Sequence, residues 1–126
     1  MRLFIIVGAI FGFLGVALGA FGAHGLKQMV GTEQLAVWQT GVQYQMYHSL
    51  ALLSVPLLAL SLVHPGIARW AGWAFVLGVL LFSGSLYAIV LLGVKTLGLI
   101  TPIGGLFFLA GWLLLLVATI KKIVPH

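Results

Sequence analysis

The sequence has no cysteine, which excludes disulfides, thiol redox chemistry and iron–sulfur clusters. It is almost without acid as well. Glu33 is the single carboxylate side chain in 126 residues, so no carboxylate pair is available for general acid–base work. Charged residues make up 6% and hydrophobic residues 63%, against roughly a quarter charged in ordinary globular proteins. A soluble helical domain needs a polar outer face, and six basic and one acidic side chains cannot supply it. The surroundings are therefore lipid. The net charge of +5 does not mark a nucleic-acid partner, because the Lys and Arg residues are spread along the chain and form no patch.

What the chain does have is long apolar runs. Crossing roughly 30 Å of hydrocarbon takes about 20 residues, and four segments qualify: about 3–21, 42–62, 70–92 and 102–120. The first has a basic start, but its run of about 19 residues exceeds the usual 7–15 of a signal peptide, so it reads as a permanent span. Thr101 is a plausible N-cap for the fourth, with Pro102 at the first helical position. The expected architecture is an all-α membrane protein, a compact four-transmembrane-helix bundle forming one domain over 1–126. Arg2, Arg69, Lys121 and Lys122 then share one side, and Lys27, Lys95 and Glu33 the other. That imbalance places both termini in the cytoplasm. Trp70 and Trp73 beside Arg69 fit an interfacial belt.

Residues 23–41 form an outer loop or interfacial helix. Thr32 followed by Glu33 resembles a helix start. A single helix from Thr32 to Leu62 would be about 46 Å long, so the segment either protrudes or bends near Gly41, anchored by Trp38. Pro56 is expected to kink the second span.

Glycine is the strongest pattern. Gly8, Gly12, Gly15, Gly19 and Gly22 recur at steps of four and three on the first span. Ala71, Gly78 and Ser85 on the third span, and Gly104, Gly111 and Ala118 on the fourth, recur at sevens. Small residues let helix backbones approach closely in lipid. The stripes serve packing within one chain or a homo-oligomer through the first helix. They leave little room for a pore or a large cavity inside one monomer.

Ionisable and polar groups inside a membrane are functional candidates. Depth along the spans brings Tyr44, His48, Ser83, Ser85, Tyr87 and Thr101 to the outer half, with His24 just beyond the first span. Tyr44 and His48 share a face of the second helix, and Gln43, Tyr47 and Ser54 lie on an adjacent one. Either these residues form a satisfied network, with His48 bonded to a tyrosine or serine of a neighbouring helix, or they contact a head group or quinone, relay protons, or bind metal. The metal reading is weak, since His24 and His48 have no cysteine or intramembrane carboxylate to complete a ligand set. His64 and His126 read as solvated helix ends. No cofactor, metal site or catalytic residue is assigned. Ser83-Gly84-Ser85 is a packing notch rather than a nucleophile.

Four stretches carry a family resemblance: 17–26 (ALGAFGAHGL), Gln39-Thr40-Gly41 with Tyr44, Gln45 and His48, 81–87 (LFSGSLY), and 101–105 (TPIGG) followed by 108–112 (FLAGW). With them the chain resembles the domain-of-unknown-function 423 family, YgdD- and YwdK-like small bacterial inner-membrane proteins. The resemblance implies a multi-pass protein of the cytoplasmic membrane and brings no activity or catalytic residues. Three functions compete: a non-enzymatic module that packs with itself or a membrane-protein partner and binds lipid, an oligomeric small transporter or channel, and a quinone- or haem-holding subunit.

Overall fold

Helix α2, the least apolar of the long helices, lies at the centre of the fold, packed against α1, α3 and α4. The computed structural model describes residues 1–123, and among them every regular element is helical. The elements are α1 (Arg2–Ala23), α2 (Thr32–Leu58), α3 (Pro65–Gly78), α4 (Gly84–Leu92) and α5 (Thr101–Ile123). A π-helical stretch, Val79–Ser83, joins α3 to α4, so Pro65–Leu92 is one continuous rod. That rod, α1 and α5 are each long and apolar enough to cross a membrane. Helix α2 carries Gln45, His48 and Ser49, all buried.

Of the two expectations for this segment, a protruding helix or a bend near Gly41, the break at Gly41 is not found: α2 is one helix of 27 residues, about 40 Å long. Gly41 serves packing instead, since a Cβ there would lie 2.9 Å from Tyr87 Cε1. Pro56 removes one backbone donor, and α2 ends two residues later at Leu58, short of the expected Leu62. His64 is not simply a solvated end. Its Nδ1 accepts the Ile67 N–H at 3.3 Å and caps α3, with Pro65 in the first turn. His126 lies outside the described residues. Helix α4 stops at Gly93, whose φ of 71° is the left-handed conformation glycine tolerates.

Helices α1 and α2 run antiparallel, and the glycines of α1 all face α2. Gly8 meets Leu53, Gly12 meets Ser49, Gly15 meets Met46, Gly19 meets Val42 and Gly22 meets Trp38. The glycines of α1 thus lie against α2 of the same chain. The sevens on the other spans receive phenyl rings: Phe108 fills the gap at Gly78, and Phe75 the gap at Gly111. Gly104 is different, because a Cβ there would strike the backbone of Phe82. The π-helical stretch and α5 therefore touch main chain to main chain.

The ends of the helices are tied. His64 N–H donates to Ala118 O at 2.9 Å, which brings the α2–α3 turn to the last turns of α5. Phe4 is buried in the hollow at Gly72 and stands edge-on to Trp73, ring centroids 5.5 Å apart. Arg2, Arg69, Lys121 and Lys122 consequently occupy one end of the molecule.

Candidate functional site

The buried face of α2 advances by threes and fours: Trp38, Gly41, Gln45, His48, Leu52, Val55. Four of its positions, Trp38, Gly41, Gln45 and His48, anchor the interior hydrogen bonds. At His48, Nδ1 lies 2.7 Å from Tyr44 O, and Nε2 lies 3.0 Å from Trp112 Nε1. Indole N–H only donates, so Nε2 is the acceptor and Nδ1 carries the proton. This tautomer is assigned from the bonding pattern. Both ring nitrogens are then engaged. The imidazole is stacked on Phe108 with centroids 3.6 Å apart and planes 9° apart.

Gln45 links three helices. Its Nε2 donates to Phe11 O of α1 at 2.8 Å, and its Oε1 accepts the Tyr87 hydroxyl of α4 at 2.6 Å. Tyr87 reaches it because helical side chains lean towards the helix N-terminus, which for α4 is the direction in which α2 advances. Ser83 is fully buried and donates to Gly41 O at 2.7 Å. Ser85 Oγ donates back to Phe82 O at 2.9 Å and shares a 2.5 Å contact with Thr101 Oγ1. Trp38, 1% exposed, donates to Leu18 O at 2.9 Å.

Six of the sequence candidates thus enter this interior bonding: Tyr44 through its carbonyl, His48, Ser83, Ser85, Tyr87 and Thr101. Thr101 does so by facing Ser85 from the first position of α5, not as the expected N-cap. Two do not enter. Gln43 is exposed, because two residues rotate a helix position by about 200° and Gln45 takes the inward one. His24 is exposed where α1 ends. The partner of His48 is a tryptophan, not the tyrosine or serine expected. Gln45, Trp38, Phe108 and Trp112 were missed as site residues. The three–four spacing through Trp38, Gln45 and His48 is the signal that points to the first two.

One cleft opens beside the network, between α2 and α5. Its volume is about 430 Å³, with His48, Tyr44, Phe82, Phe108 and Trp112 as walls and Leu109 at the rim. The lining is almost all apolar and aromatic. Among the described residues no cluster of three or more His, Cys, Asp or Glu offers a metal site. The arrangement can hold helices in register and present an aromatic surface. It contains no nucleophile beside a base.

A family model described as "Protein of unknown function (DUF423)" matches residues 18–105, which include α2, the π-helical stretch and the start of α5. The chain belongs to the DUF423 family. Its DUF423 segment contains every hydrogen-bonding side chain of the network except Trp112. The UPF0382 membrane protein YwdK of Bacillus subtilis is 49% identical over 96% of this chain and 98% of its own length. The UPF0382 membrane protein SH2409 of Staphylococcus haemolyticus is 47% identical over the same shares. No solved structure matches.

Proposed function

We propose that this is a small four-span protein of the bacterial cytoplasmic membrane, with both termini cytoplasmic, acting as a non-enzymatic module through its lipid- and partner-facing surfaces. The observation that carries this reading is the internal satisfaction of the network: both nitrogens of His48, both amide atoms of Gln45 and the hydroxyls of Ser83, Ser85 and Tyr87 bond within the chain. Such groups are costly in lipid and pay for themselves as interhelical links. With both nitrogens of His48 bonded inside the chain, no imidazole lone pair is left over for a haem iron. Helix α2 serves as the remaining span because Gln45, His48 and Ser49 face inward, and the glycines of α1 are its packing face. Four basic residues at one end against Lys27, Lys95 and Glu33 at the other support the orientation.

Native mass spectrometry of protein released from mild detergent tests the reading. The expected species is the bare chain, its oligomer, or either with phospholipid. A stoichiometric quinone or haem adduct would overturn the non-enzymatic assignment.

A further inference from the structure

The two ends of the molecule differ in charge. Arg2, Arg69, Lys121 and Lys122 gather at one end, while Glu33, the only acidic side chain, lies with Lys27 and Lys95 at the other. The cationic end therefore has no carboxylate side chain at its level to offset it, which leaves it open to a counter-charge from outside the chain. At a cytoplasmic membrane surface that charge is the phosphate of anionic lipid.

The same end holds a built recess of about 110 Å³, lined by Met1, Leu3, Phe4, Arg69 and Trp73. Arg69 and Trp73 stand one turn apart on the same face of α3. The guanidinium has the planar fork that matches phosphate oxygens in pairs. Trp73 is 42% exposed and its neighbour Trp70 69%, the placement amphipathic rings take at head-group level.

A furrow lies farther along the same seam. Helix α1 and the α3–α4 rod run parallel from the basic end, and α1 packs chiefly on α2, which leaves the α1–α4 side open. The opening is about 200 Å³, apolar, and lined by Phe11 and Leu18 from one helix and Leu80 and Tyr87 from the other rod. From Phe4 to Phe11, and from Trp73 to Leu80, is one step of seven residues, about 10 Å along the axis. A recess holding one guanidinium at the membrane surface, with an apolar furrow about 10 Å deeper, matches the two halves of one lipid molecule.

We infer that the α1–α3 seam binds a single anionic phospholipid, its phosphate at Arg69 and Trp73 and an acyl chain in the furrow beneath. The inference rests on the four-span reading, which puts the recess at head-group depth.

The test reconstitutes the full chain in equimolar phosphatidylglycerol and phosphatidylcholine vesicles, extracts it gently and weighs the retained lipid by native mass spectrometry. One phosphatidylglycerol per chain should be retained in preference to phosphatidylcholine. R69Q should lower that preference about fivefold, the factor associated with one basic side chain at an anionic surface. Gly84 lines the furrow and a Cβ there meets nothing within 4 Å, so G84F should fill the furrow and reduce retention of both lipids. Equal retention of the two lipids by the wild type overturns the site. So does a preference that survives R69Q and disappears in K121Q/K122Q, which would assign it to diffuse charge. Unchanged retention in G84F overturns the acyl half. Resistance to alkaline extraction separates the two readings: a chain that fails to insert overturns the proposed function as well, and an inserted chain without lipid preference overturns the site alone.

Discussion

The Trp112 indole N–H donates to His48 Nε2 across 3.0 Å, joining residues 64 apart in the chain and fixing the imidazole between α2 and α5. Replacing Trp112 with Phe keeps a ring on the cleft wall and removes the donor. W112F is expected to destabilise the fold by about 0.6 kcal/mol, the average for interhelical hydrogen bonds in membrane proteins, and by no more than about 1.7 kcal/mol. A double-mutant cycle with H48F, followed by reversible unfolding in mixed micelles, should return a coupling of that size. Additive effects would dissociate the pair.

Gln45 and Gln43 make a matched comparison. Q45L strands the Tyr87 hydroxyl, which loses its 2.6 Å acceptor, at a cost of about 1–3 kcal/mol. Q43L, on the exposed face of the same helix, should stay within about 0.5 kcal/mol of wild type. Equal losses in thermal unfolding would contradict the assigned register of α2.

Neighbouring glycines at the start of α5 should respond in opposite ways. A Cβ on Gly104 would strike the Phe82 main chain, whereas one on Gly105 comes no nearer than 3.9 Å to the Phe82 ring. G104A must push the π-helical stretch away and should cost about 1–3 kcal/mol. G105A should be close to neutral. Melting temperatures of the two purified variants provide the check.

The absence of cysteine makes membrane orientation directly measurable. Leu60 is 82% exposed in the α2–α3 turn, and Met29 is 72% exposed at the opposite end. In intact cells, Met29→Cys should react with a membrane-impermeant maleimide and Leu60→Cys should react only after permeabilisation. Labelling of both from outside would refute the four-span arrangement.

The sequence by itself determined the medium and the elements. Six basic and one acidic side chains cannot clothe a soluble domain, and the long apolar runs became α1, the Pro65–Leu92 rod and α5. The glycine repeat of α1 was equally visible, since its period is that of one helix face. Which surface those glycines meet was not visible. In water, amphipathicity separates core from surface; in lipid both faces of a helix are apolar, so periodicity loses that contrast. Only the tertiary structure joined Gln45 to Phe11 and Tyr87, paired His48 with Trp112, and placed Ser83 against the carbonyl of Gly41. Each of those choices depends on a helix remote in sequence. The π-helical turn belongs with them: the repeat marks Gly104 as a packing position, but not that the Phe82 backbone is what it admits.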